Sequence, residues 1–513
     1  VVNANARAAL ADGRGPLVVL LLRLPGGTVY ALGTEAAQVP QRGVDGAVIQ
    51  VAPGLAVDDL EIAIDPFGLT GETALTQARV RVVLPESLAN AQADHRQIGA
   101  ATAELARLWP GDAWQDRAPL LLGTSLSGVT LGVAGAPTTF TVEAARSQSS
   151  ATIGDAARTI GADFPAPVAV LGGDLSSLEG VEYPAVHGAP HRSQGFKVGE
   201  IGGDGYDRVI IAGHHFADLT DIEAFADGVS VGTFAVLNTS TNSGDYAYIR
   251  SNVAGTFDDS AGAITVAPRW GGVAGINGTT PAVSLGHLLE LWLSLSGLPV
   301  NWPRCRPAIV RLSSWAGGVY LDRETTAIEA IRDHLVSIAP LVEMQSADGL
   351  WFYYADTESP QIRGVLTEGQ ELVGLTGGVG LTEAEDVRNT VVVRYAFDEF
   401  LGEHSASVTV NADNEPAAYV STQLYGKLAA EPIETAATGD TTTAIRIGRS
   451  LLQRRAVRRR VIAWLVADAL DLEVGEVYRL TAPSVGLDGN AVLTTLSGVM
   501  GRTATFTVLE TAL

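Results

Sequence analysis

Several stretches of this 513-residue sequence bring together residue types that could do chemistry. Gly123-Thr124-Ser125-Leu126-Ser127 approaches the Gly-x-Ser-x-Gly elbow, which exposes a serine nucleophile on a strained turn. The closing glycine arrives one residue late, as Gly128, so the stretch reads as a strand entering a turn. His214 and His215, with Asp218 close by, are metal-ligand types. Adjacent side chains on a strand point to opposite faces, which keeps these two histidines from sharing one ion. His187 and His191 have the spacing of a helical metal pair, but Pro184 and Pro190 argue against a helix there. Gly202 to Asp207 and Thr256 to Asp259 offer carboxylates to calcium, yet neither has the twelve-residue loop closed by a glutamate. Both read as solvated turns. A glycosidase pair cannot be picked from the acidic residues by spacing, because the separation that matters is spatial. Aromatic residues make up only 6% of the chain, thin for a sugar cleft. The expectation is a non-enzymatic protein with no catalytic residue, metal or cofactor.

The remaining chemistry is ionic. Arg446, Arg449, Arg454, Arg455, Arg458 and Arg459 crowd one short segment. Acidic residues outnumber basic ones 57 to 34, a formal charge of −23, which opposes tight phosphate binding. The guanidinium fork is suited to carboxylate pairing at interfaces, so these arginines are interface candidates.

The elements around them follow from pattern. Thr390 to Tyr395 is β-branched and aromatic, a strand. Thr441 to Thr443 offer N-cap hydroxyls to a helix whose apolar stripe is Ile445, Leu451, Leu452 and Val457. Val461, Ala463 and Leu465 continue as a strand, and Leu472 to Val477 turns tightly at Gly475. Upstream, Leu17 to Leu24 and Thr28 to Leu32 read as a hairpin. Val48 to Val51, Leu60 to Ile64, Ala78 to Leu84, Leu120 to Val129, Val129 to Val133 and Thr138 to Val142 read as further strands, and Ala100 to Leu108 as a short helix. The Gly- and Asp-rich block to about residue 280 carries strands at Arg208 to Ala212, Ile222 to Val231 and Ala247 to Arg250. Leu285 to Leu295 and Thr325 to Ile338 read as helices, and Leu341 to Tyr354 as a hairpin.

The order of these elements resembles the tail-hub proteins of long-tailed bacteriophages, also found in gene transfer agents. EDVRNTVVVRY, the Arg-rich helix and LEVGEVYRLT carry the resemblance, with Glu182 to Pro190, His287 to Leu293 and Ala330 to Leu335 in agreement. It implies an α+β, mainly β fold in four parts. These are a first tube-like barrel (1–148), a Gly/Asp-rich insert (149–282), an α/β module (283–364) and a second tube-like barrel bearing the Arg-rich helix (365–513). It also implies a homotrimer forming a pseudo-hexameric ring in the tail tip. A distal tail protein or tail tube would lie above, and tip, fibre or tape-measure proteins below. DNA would pass an acid-lined channel without specific binding, and the particle would assemble in the host cytoplasm. The alternative is a glycan-binding or glycan-hydrolysing attachment module built on the insert.

Cys305, the only cysteine, excludes an intrachain disulfide and reads as a small buried residue. No apolar run approaches the roughly 18 residues of a membrane span, and no signal-peptide pattern opens the chain. A soluble assembly is expected.

Overall fold

A computed structural model describes Asn5, Ala9 and residues 14–24, 29–41, 47–63, 77–83, 101–130, 138–144, 152–153, 185–199, 206–214, 216, 221–241, 244–251, 253, 256–257, 264–267, 273–274, 280–281, 283–323, 325–346, 349–355, 360–399, 401–467, 472–498 and 502–509. The chain is mainly β. Contacts gather it into two compact units. The first is Val1–Ser147 with Val342–Asp386 and Arg458–Leu513; the second is Gln148–Leu341 with Val387–Val457.

A 16-stranded sheet runs through the first unit. Its N-terminal part passes in order through Leu55–Ala63, Gln77–Val82, Thr138–Ala144, Ala118–Thr130, Thr102–Leu108, Leu17–Arg23 and Val29–Gly33. Leu32, at one end of that series, shares a core with Leu55 and Leu60 at the other, so the sheet curls. Val18, Leu20 and Leu22 face this core, while Leu17, Val19 and Leu21 face a second cluster with Val39, Val51 and Trp114. The unbroken apolar run LVVLLL is what a strand covered on both faces requires.

The C-terminal part runs Ile362–Thr367, Val477–Ala482, Leu487–Ser497, Thr503–Val508, Arg460–Val466 and Leu372–Leu375. Its first and last strands are consecutive in sequence. Gly369, at φ +79°, turns the chain between them and its N–H donates to Leu372 O at 2.9 Å. A sheet whose ends are joined by so short a link must curl on itself. Trp464, Tyr478, Leu480, Leu493 and Phe506 fill the interior. The two parts meet edge to edge: Ala63, Ile62 and Glu61 pair antiparallel with Thr495, Leu496 and Ser497, and Gly498 N donates to Leu60 O at 3.0 Å.

In the second unit, residues 193–267 form a seven-stranded antiparallel sheet. Its outermost strands, Val229–Phe234 and Val236–Thr241, are separated only by Ala235, so this sheet also curls. Val209, Ile211, Phe216, Ile249, Phe257 and Val266 form its core. Helices Leu285–Leu295 and Trp302–Leu312 follow, the first capped by Ser284 Oγ, which accepts from His287 N. Hairpin Val391–Asp398 and Glu403–Val410 packs against helices Pro416–Tyr425 and Thr441–Arg455 through Val391, Val410, Ala418, Leu451 and Leu452.

Some local expectations are corrected. Residues 102–108 are a strand, because pairing with neighbours on both sides overrides the helix propensity of Ala, Glu, Leu and Arg. Ile222 to Val231 is a hairpin: Asp227 and Gly228 both take left-handed φ, as a tight two-residue turn demands. The helix expected from Thr325 begins at Ala327, after the Thr326–Glu329 capping box, and widens into a π-helical turn at Arg332–Val336. Val129 to Thr130 closes the long strand Ala118–Thr130, and the rest of the strand expected to Val133 lies outside the described residues.

Candidate functional site

The Arg-rich helix Thr441–Arg455 takes in the threonines expected to cap it, and its cap stands one residue earlier. Asp440 is the N-cap; its Oδ2 accepts from Thr443 N at 2.7 Å and Thr443 Oγ1 at 2.9 Å. The carboxylate lies against the positive end of the helix, where negative charge is stabilising. Arg454 and Arg455 lie in the last turn, where cations complement the negative end.

The six candidate arginines have unequal surroundings. Arg446 donates through Nη1 to Ser314 O. Arg449, whose side chain is 47% exposed, lies 3.6 Å from Glu415 and donates to Asn414 O at 3.2 Å. Arg454 is buried, with Nε on Ser450 O at 3.1 Å. Arg455 is half-buried, and its carbonyl accepts from Arg388 N at 2.9 Å. Arg458 and Arg459 belong to the first unit, where both engage Thr382, through Nε on its carbonyl and N on its hydroxyl. Arg459 is only 3% exposed and donates to Leu509 O. Burial lowers its pKa to about 10, so it remains a cation. Arg454 and Arg459 thus satisfy carbonyls of their own chain.

Just before the strand that faces the helix stands a polar group the sequence reading did not single out. Asn389 is fully buried. Its Nδ2 donates to Gly426 O at 2.7 Å and Ser421 Oγ at 3.2 Å, and its Oδ1 accepts from Leu428 N at 2.7 Å. The side chain ties the end of helix Pro416–Tyr425 to the start of the strand. An asparagine directly before a Val-rich run was the available signal.

His187 is a core residue, and His214 lies half-buried beside it. Trp292 Nε1 donates to His187 Nδ1 at 2.9 Å, and Val186 N donates to His214 Nε2 at 3.1 Å. Each bond occupies the lone pair a metal would need. Burial, and next the neighbouring His214, lower the His187 pKa to about 3. His334, in ring contact with Trp292 at 6.1 Å, is shifted down by burial, with Asp333 opposing. His215 and Asp218 lie outside the described residues. Ser125 pairs opposite Glu143 inside the ladder of Ala118–Thr130, not on a turn. Asp207 is buried and accepts from Phe257 N at 3.2 Å, so this carboxylate serves the fold; most of the two acidic stretches lies outside the described residues. Among the described residues no three His, Cys, Asp or Glu gather as a metal site, and no helix is long and apolar enough to cross a membrane. Cys305 is fully buried.

No protein-family model matches this chain, and no curated protein does. Solved structures show a likeness. One is a chain from the virion of a native gene transfer agent particle, with 13% identity over 64% of this chain and 84% of that one, at a TM-score of 0.44. The 43 kDa tail protein of prophage MuSo2 from Shewanella oneidensis shares 7% identity over 96% and 98% of the two chains, at a TM-score of 0.38. A tail protein from Neisseria meningitidis MC58 shares 12% identity over 64% and 95%, at a TM-score of 0.28.

Proposed function

We propose that this chain is the structural hub of a phage-type tail tip or baseplate. In this reading three copies close a pseudo-hexameric ring that joins the tail tube to tip or fibre proteins and leaves a channel for DNA. Residues 1–148 and 365–513 supply its two tube-like barrels, and 149–282 and 283–364 the insert and α/β module. The observation that supports it most is the 16-stranded sheet of the first unit. Its N- and C-terminal strand sets each curl around a separate core and join edge to edge through Leu55–Ala63 and Leu487–Ser497. Two similar curled bodies per chain are what turn three copies into six repeating elements. Head-to-tail contacts of this kind close into rings by rotation. Of the six arginines, Arg449 is the one we propose to meet an acidic group of a neighbour, because it combines exposure with a loose ion pair.

The test is the solution mass of the purified chain by light scattering, with negative-stain images of the same sample. A mass three times 53.4 kDa and a ring with a central opening are expected. A monomer at high concentration that binds host polysaccharide, and loses that binding when 193–267 is deleted, would replace the hub by the attachment-module reading.

A further inference from the structure

A recess of about 580 Å³ opens in the second unit where the loop after strand Ala185–Gly188, the seven-stranded sheet and the start of the Arg-rich helix meet. Its aliphatic wall is made by Pro190, Ala267, Val283 and Ala316. Among the described residues its carboxylates are Glu223 and Asp440, and no arginine or lysine lines it. Glu223 Oε1 accepts from Ser230 Oγ at 2.6 Å, and Asp440 Oδ2 accepts from Thr443. Among the described residues neither carboxylate has a cationic partner. Arg192, next to the lining residue His191, is directed elsewhere: its Nε lies 3.6 Å from Asp398 and its guanidinium 3.5 Å from the centre of the Phe225 ring. Burial and then Arg192 lower the His191 pKa against the pull of Asp398, which disfavours a positive charge there.

The end of helix Thr441–Arg455 is the one feature favouring an anion. Its dipole is worth about half a positive charge, and the Asp440 carboxylate alone outweighs it. With Glu223 added, the recess is negative. Its floor is held in place. Thr438 Oγ1 donates to Ala316 O at 2.8 Å, Gly318 N to Ala437 O at 3.0 Å, and Ala396 N to Thr438 O at 2.9 Å. A Cβ on Gly317 would stand 2.4 Å from Ala437 O, so the two loops approach as only a glycine permits.

We propose that this recess receives the side chain of a lysine or arginine presented by a partner protein. The wall accommodates a methylene stem, and the two carboxylates take the charged end, the division of labour natural to these amphipathic side chains. The recess is acidic, so charge complementarity points to a basic segment of a partner. That the partner is another tail component rests on the hub reading; the chemistry of the recess does not.

The test exposes the full-length protein to a carbodiimide and a small amine, and follows labelling of Glu223 and Asp440 by mass spectrometry. Arginine amide with its α-amine acetylated is the probe and citrulline amide, likewise acetylated, its uncharged counterpart; with the amine blocked, neither is itself coupled by the carbodiimide. Arginine amide is expected to protect both carboxylates, and citrulline amide neither. Glu223→Gln should weaken protection of Asp440 roughly three- to fivefold, the loss of one partly exposed ion pair. Asp440→Asn, which keeps a good N-cap, should do the same to Glu223. Equal labelling with and without arginine amide, or equal protection by citrulline amide, would overturn the proposal. Light scattering of the same samples reports ring formation separately, so failure of the recess and failure of the hub are told apart.

Discussion

In the folded chain burial keeps His187 uncharged, with a pKa of about 3, whereas in the unfolded chain it titrates near 6.5. The unfolded state therefore takes the proton first. The stabilisation is complete above pH 6.5 and is lost as pH falls toward 3, at up to about 1.4 kcal/mol per unit. By pH 5 the loss is about 2 kcal/mol. His334 and His191 shift in the same direction and steepen the fall. The protection factor of amides in strand Ala185–Gly188, with the intrinsic pH dependence of exchange divided out, should fall between pH 7 and 5, and His187→Gln, which still accepts from Trp292, should flatten that dependence. An unchanged slope would count against the buried neutral histidine. Asn389 offers a second test. Asn389→Ala removes the partners of Leu428 N and Gly426 O, costing about 2–3 kcal/mol locally. Faster exchange at Leu428, with the 193–267 sheet unaffected, is the expected outcome.

At the scale of elements, the Arg-rich helix lies close on its hairpin because of Gly448. A Cβ there would stand 2.6 Å from Val410 Cγ2 and 3.3 Å from Val391 Cγ1. Propensity and packing disagree at this position. Alanine favours a helix over glycine by about 1 kcal/mol. Overpacking a fixed interface costs about 1–3 kcal/mol. Gly448→Ala is thus expected to destabilise the helix–hairpin contact by about 1 kcal/mol, read as faster exchange across Glu403–Val410. A stabilised variant would mean that Val410 moves aside without cost. Asp440 works at the other end of this helix, and its exchange for alanine removes a cap worth about 1 kcal/mol.

At the scale of the molecule, the first unit is assembled from distant parts of the chain. Strand Leu55–Ala63 pairs with Gln77–Val82 on one side and with Leu487–Ser497 on the other. A fragment of residues 1–147 expressed alone keeps its own core but loses the second partner along residues 61–63. An unpaired edge recruits other strands. The fragment is expected to self-associate in size-exclusion chromatography, and the full chain at equal concentration to give one defined species. A monomeric fragment with native-like exchange would show the C-terminal pairing to be dispensable.

The sequence by itself determined what depends on neighbours a few residues apart. LVVLLL announced a strand, TVVVRY a strand, and Leu451 and Leu452 a helix face, since these patterns follow from local geometry; of the rest of the expected stripe, Ile445 is only half-buried, with Ile447 taking the buried place, and Val457 lies past the helix end. It also disclosed the charge imbalance and the crowding of arginines. Tertiary structure decided the rest. Residues 102–108 became a strand because two partners waited on either side. Arg454 and Arg459 turned inward because carbonyls lay within reach. His187 and Trp292, over a hundred positions apart, met as donor and acceptor, and so did the loops that close the Glu223–Asp440 recess. Such pairings carry no periodic trace in the chain; they exist only once non-local contacts have overcome the entropy of bringing distant segments together.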